Sequence, residues 1–318
     1  MIYTDPLLLF LAAMVIDLYA GDWIGRGNWV WHPSTIFGKL FGFLESKLNR
    51  PARGARTLMV RGALTVLIGI GVAAIAGVFV RVLSVQAPLL WVFEFTLILS
   101  LVDLRGPWRD AIALADALER DGLEGGRAAL PALSLRDPVH TDVHEIARLG
   151  VEVLATRFAF GLIGPALSYW ICGLSGLFVY QALISISNRP GESQSFYVLS
   201  NWLAAVVQWV ASIVGALTLV LAAIPTKGAQ PNGAFLTIFS YCRTFACVKN
   251  GPTVAAMAGA LGLSLEGPRQ YVSGLIARPW VGGGTVNAGP KEILAATRLF
   301  LSGWLVVAIL IVVWVALS

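Results

Sequence analysis

LFLSGWLVVAILIVVWVALS, residues 299–318, contains no Asp, Glu, Lys or Arg. A helix needs about 20 apolar residues to cross the hydrocarbon core of a bilayer, so this stretch predicts a membrane span. Working back along the chain, residues 197–224, 158–186, 86–104 and 62–83 form further apolar runs. Residues 6–20, PLLLFLAAMVIDLYA, form a shorter run that contains Asp17. That first run predicts a tilted, half-inserted or bundle-packed helix. The composition agrees: 57% of the 318 residues are hydrophobic and 13% charged, where a soluble domain carries about 25% charged residues. Mean hydropathy is +0.75. The runs are continuous rather than alternating, and a lipid-exposed backbone must satisfy its own hydrogen bonds, which favours helices over a barrel. The expectation is an all-α, polytopic membrane bundle of five or six spans, forming one embedded domain over residues 1–318. No Lys or Arg precedes the first run, which therefore reads as part of the mature chain rather than a signal peptide.

Charge orients these spans. Of 23 Lys and Arg, seven lie in 21–61, seven in 105–157 and six in 225–294. The intervening connections carry almost none. Positive loops stay on the cytoplasmic side, so the three long loops are predicted to face the cytoplasm from the cell (inner) membrane. The basic balance is then a topology signal, and no nucleic-acid partner follows from it. Cys172, Cys242 and Cys247 have no disulfide or metal spacing.

Within the loops, PSTIFGKLFGFLESKL (33–48) has helical apolar spacing and predicts an amphipathic helix at the membrane surface. ALADALERDGLEGGRAALPAL predicts a helix, a Gly-rich break and a second helix. Asp142 is placed to cap a helix running towards the fourth span. Residues 225–294 read as loop-rich, with one Ala-rich helix at TVAAMAGALG.

Several residues are candidates for chemistry. An ionisable group inside an apolar run is costly and tends to face a cavity or a partner, which singles out Asp17. Asp22 and His32, which stands in a Trp-rich stretch, can together bind a metal–phosphate group or handle protons. Glu94 can pair with Arg81 or with another helix. Arg136, Asp137, His140, His144 and Glu152 make residues 136–152 dense in titratable groups. His140 and His144 have the spacing of a zinc-protease helix, but Thr141 stands where its Glu is required. The glycines 282–284, with Asn287 and Lys291, can offer backbone N–H groups to a phosphate. There is no P-loop.

VIDLYAGDW…WHPSTIFGKLFGFLESKL resembles the opening motif of the CobD/CbiB family: an Asp, then Gly-Asp, His-Pro, a Gly and a Glu. LRDPVH…EIARLGVEVLA, GPALSYWICGLSGLFVYQAL and VAAMAGALGLSLEGPRQYVSG…RPWVGGG resemble later family segments, so the likeness covers nearly the whole chain. The resemblance implies an adenosylcobinamide-phosphate synthase of cobalamin biosynthesis. Such an enzyme joins the propionate carboxyl of adenosylcobyric acid to an aminopropanol phosphate, using ATP and Mg²⁺. It implies Asp17, Asp22, His32 and Glu152 as catalytic residues and Asp22 as a Mg²⁺ ligand. Glu45, Arg136, Asp137, Gly283 and Asn287 are implied to bind the substrates, a corrinoid and an amino-alcohol phosphate. Implied partners besides the bilayer are other cobalamin-pathway membrane enzymes or a second copy of the chain.

The chain also departs from the family pattern. ISISNRPG places Ile184 and Ser187 where Asn and Asp are expected, and Gln181 replaces a Lys. EVLATRFAFG keeps Glu152 and lacks the later Asn and Asp. Gln208–Trp209 and CVKNG replace further polar positions. Three readings follow: the ligase, a catalytically idle or AmpE-like membrane paralogue with a sensing role, and a small-molecule transporter.

Overall fold

The structure is a computed structural model and describes residues 6–25, 33–50, 54–86, 90–133, 141–187, 195–244, 251–271, 274–276 and 279–317. Helices dominate. They are α1 (Pro6–Gly25), α2 (Pro33–Leu48), α3 (Ala55–Gln86), α4 (Trp91–Leu101), α5 (Arg105–Leu133) and α6 (Val143–Arg157). A π-helical turn, Phe158–Ile163, leads into α7 (Gly164–Ser187), followed by α8 (Val198–Ala223), α9 (Pro231–Thr244), α10 (Gly251–Leu261) and α11 (Pro290–Leu317). Four helical stretches are long and apolar enough to cross a membrane: Ala55–Gln86, Val143–Ser187, Val198–Ala223 and Pro290–Leu317. They expose large apolar side chains such as Leu67, Ile75, Phe79, Leu217, Ile309 and Val313. This is the surface expected where lipid replaces water, and the helical membrane architecture read from the sequence stands.

The 86–104 run is shorter than its composition suggested. It forms only the 11-residue α4. The chain turns extended at Val102 and restarts in the polar α5, with Pro107 in the first turn, where a missing N–H breaks no intrahelical bond. The 158–186 run is not one straight rod either. Gly173 has φ 58° and ψ −146° inside α7. Ser168 O leaves no room for a Cβ on Gly176, although a continuous helix keeps residues eight apart separated by about 12 Å. The chain therefore folds back at Gly173. Gly122 (φ 59°) does the same within α5, bringing Gly125 against Ala117. That is the Gly-rich break expected there.

The chain divides into two compact units. The first comprises Met1–Val102 and Gly164–Gln208. In it Phe41 of α2 fills the space over Gly69 of α3, and Phe37 meets Phe178 edge-on at 5.9 Å. Phe10 of α1 stacks on Tyr169 at 5.2 Å. The amphipathic α2 thus buries its Phe37–Phe41 stripe on α3 and α7. Glu94, on α4, is buried; it accepts from Arg81 Nη1 at 3.2 Å and Ser84 Oγ at 2.5 Å. The pairing with Arg81 is one of the two the sequence allowed.

The second unit comprises Asp103–Ile163 and Trp209–Ser318. Here α5, α6 and α11 pack together, with Phe158 and Phe300 edge-on at 5.7 Å. Asp142 caps α6, accepting from Glu145 N at 2.6 Å. Residues 225–294 hold more structure than the loop-rich reading allowed. Besides the expected α10 they form α9 and two short antiparallel pairs, Leu265–Glu266 with Trp280–Val281 and Arg269–Tyr271 with Gly274–Ile276.

Candidate functional site

The best-defined polar constellation grows from one face of α6. His144, Arg148 and Glu152 are four residues apart, so they line up along the helix. All three reach the segment between α10 and α11. His144 Nδ1 lies 2.7 Å from Ala288 O, and Arg148 donates to Val286 O. Glu152 Oε1 accepts from Glu266 N at 2.8 Å. The Arg148 guanidinium also sits 5.4 Å from the centre of the Trp280 ring, a cation–π contact. Ser264 completes the clasp from within the segment, donating to Gly282 O at 3.1 Å and Gly284 O at 2.9 Å.

Glu152 is buried, and a buried carboxylate needs partners to offset its desolvation. One of them is the backbone of Glu266, which adopts φ 62°, a left-handed conformation that side chains usually avoid. The clasp thus fixes the path of the Gly-rich stretch. Gly284 is pressed on Gly262 so closely that no Cβ fits, and Gly282 has φ 96°. Gly283 and Asn287 are exposed, and Asn287 N donates to Thr285 Oγ1 at 3.1 Å.

On its other side the end of α6 borders a cavity of about 160 Å³. Asp103, Gly106, Pro107, Asp110, Ala132, Leu133, Val153 and Arg157 line it, so it carries two carboxylates and a guanidinium on an apolar floor. Arg157 Nη1 lies 3.6 Å from Asp103 Oδ2, and Arg109 pairs with Asp110 at 2.6 Å. Arg157 stands where the resemblance implies an Asn, and Phe160, in the π-helical turn, where it implies an Asp. Pro165 explains the widened turn: it cannot donate to the carbonyl of Gly161, so the regular ladder cannot continue through it. Such turns recur at functional sites.

The other sequence candidates fall elsewhere. In the first unit Asp17 is buried on α1, and Glu45 on α2 accepts from the Tyr197 hydroxyl. Asp22 lies on α1, with its side chain outside the described residues; His32, Arg136 and Asp137 lie wholly outside them. Among the described residues no three His, Cys, Asp or Glu side chains gather to hold a metal ion. Of the candidates, Glu152, Gly283 and Asn287 share one unit, with Glu152 on the clasp and the other two on the segment it holds. Sequence reasoning missed Arg148, Ser264 and the Asp103–Asp110–Arg157 cavity. The four-residue spacing of His144, Arg148 and Glu152 was the available signal; the cavity had none, because α5 and α6 build it from distant positions.

The family model described as CobD/Cbib protein matches residues 10–300. The "Cobalamin biosynthesis protein CobD" of Sinorhizobium sp is 31% identical, over 96% of this chain and 97% of the relative. Its counterparts in Rhizobium meliloti and Geobacter metallireducens are 29% and 30% identical, over 93% and 88% of this chain and 93% and 87% of their own. No solved structure matches the chain. The match from Phe10 to Phe300 spans both units, and the chain belongs to the CobD/Cbib protein family.

Proposed function

We propose that this protein is an amide-forming ligase of cobalamin biosynthesis, joining adenosylcobyric acid to an aminopropanol phosphate with ATP and Mg²⁺. The observation that carries the reading is the family match from residue 10 to residue 300, with relatives named for cobalamin biosynthesis along almost their full length. In the proposed chemistry the propionate carboxylate attacks the γ-phosphate of ATP, giving an acyl phosphate and ADP. The amine then attacks the acyl carbon, loses a proton and expels phosphate. The amine co-substrate carries an ammonium and a phosphate. The cavity lined by Asp103, Asp110 and Arg157 has charges of both signs for such a molecule. In the clasped stretch Gly283 is exposed, so its backbone is open to a phosphate, and the exposed Asn287 side chain lies beside it in sequence. In the first unit, Asp22 is the proposed Mg²⁺ ligand, and Asp17 and His32 are proposed catalytic residues.

The test is turnover by purified protein in proteoliposomes, given adenosylcobyric acid, aminopropanol phosphate, ATP and Mg²⁺. The expected result is an amide product with ADP released in step, lost in Asp22→Asn. The absence of both turnover and corrinoid binding in folded wild-type protein would remove the ligase reading. Arg157 and Phe160, in place of the expected Asn and Asp, favour the idle paralogue as second reading; it predicts corrinoid binding without ADP release. Transport draws no support from Glu94, whose carboxylate Arg81 and Ser84 already engage.

A further inference from the structure

Helix α9 presents an unusual surface for a segment between membrane spans. From Gly228 to Cys242 the sequence has no charged residue. The helix buries Ala234 and Tyr241 but leaves Phe235, Leu236 and Phe239 exposed at 54, 65 and 57%. These three positions share one helix face. The opposite face is closed by α10: Gly233 and Gly259 meet where a Cβ would sit, and Tyr241 fills the space beside Gly251. The two helices therefore run antiparallel, and α10 is buried from Gly251 to Ala260.

Two features say what covers the outer face of α9. The first is continuity. The end of α8 exposes Leu217 and Leu221, Ile224 just beyond it is exposed as well, and α11 exposes Leu305, Ile309 and Leu310. Both helices are apolar and long enough to span. Thr226 Oγ1 donates to Ser302 Oγ at 2.9 Å, and Gln230 N donates to Ala260 O at 2.8 Å, so the α9–α10 pair is tied to them. The second is charge. Between Pro225 and Leu265 the chain has Lys227, Arg243 and Lys249 and no acid. Lys227 and Arg243 bracket the uncharged stretch. A helix of 14 residues is about 21 Å long, short of the roughly 30 Å core. Cations at both ends suit a helix lying flat in the interface better than one entering end-on.

We infer that α9 is an interfacial helix. It rests on an anionic bilayer surface, with Phe235, Leu236 and Phe239 among the acyl chains and Lys227 at headgroup level. The test uses the full chain in phosphatidylethanolamine–phosphatidylglycerol vesicles. Nitroxides are placed singly at Leu236→Cys, Phe239→Cys and Lys227→Cys, with Cys172, Cys242 and Cys247 replaced by serine. Oxygen should relax the labels at 236 and 239 more than a water-soluble nickel chelate does, with the order reversed at 227. Nickel dominance at 236 and 239 would place α9 in water and overturn the inference. Exclusion of both reagents would mean that protein, a second copy included, covers the face, and would overturn it too. A readout free of substitution is photolabelling of the wild-type chain by a phospholipid with a diazirine in its acyl chain. The peptide holding residues 228–242 should be labelled, and no labelling there would count against the inference.

Discussion

At Glu152 a structural and a chemical role can be separated by experiment. Its Oε1 accepts from Glu266 N, so Glu152→Ala takes the charged acceptor from a part-buried N–H and is expected to cost about 1–3 kcal/mol. Glu152→Gln keeps an acceptor oxygen and loses the charge. It is expected to melt close to wild type in detergent while losing ligation, if the carboxylate acts in the reaction. Glu266 offers the opposite case. Its φ of 62° costs a side-chain-bearing residue about 1–2 kcal/mol. Glu266→Gly should therefore raise the thermal midpoint in detergent, and a lowered midpoint would refute backbone strain as the dominant effect at this position. The sequence singled out Glu152 as one of a dense run of titratable groups and through the family resemblance, but could not reveal that it is buried or that its bond runs to the main chain 114 residues away. A side chain that binds backbone leaves no mark on its partner's residue type.

At the level of elements, the amphipathic α2, the cap at Asp142, the break at Gly122 and the Ala-rich α10 were legible. Each depends on local periodicity or on residues that favour turns. The fold-back at Gly173 was not. Gly173 sits in an apolar run where hydropathy stays high through the turn, so composition gave no boundary. Gly173→Ala should test it: φ 58° with ψ −146° is a region held almost only by glycine, and forcing a Cβ into it costs about 1–3 kcal/mol. The expected outcome is a lower thermal midpoint, whereas Gly71→Ala, with open space around the added Cβ, should be nearly silent. Helix α9 escaped notice for another reason. Its apolar face is only half of each turn, and Pro231, Asn232 and Gly233 at its start read as loop.

For the molecule as a whole, composition sufficed for the class, because a chain with 57% hydrophobic residues has too little polar surface for a water-soluble coat. The division into two units was hidden, since each is assembled from two separate stretches of sequence. Orientation remains testable: a single cysteine at the exposed Glu124 should react with a membrane-impermeant maleimide only after the cytoplasmic side of inner-membrane vesicles or broken cells is opened to it. Labelling of intact spheroplasts would reverse the proposed topology. The buried Arg81–Glu94–Ser84 contact bears on how the chain is made. At 11 residues, with Glu94 in its first turn, α4 is too short to cross alone, and an unpaired carboxylate in a span costs up to about 2.5–3.5 kcal/mol to insert. Helix α3 leaves the ribosome first and brings Arg81 and Ser84 with it, so α4 can enter the membrane as the second member of a neutralised pair. Biogenesis then has an order: grafted alone into a reporter, residues 90–102 should fail to insert, and joined to residues 55–86 they should succeed.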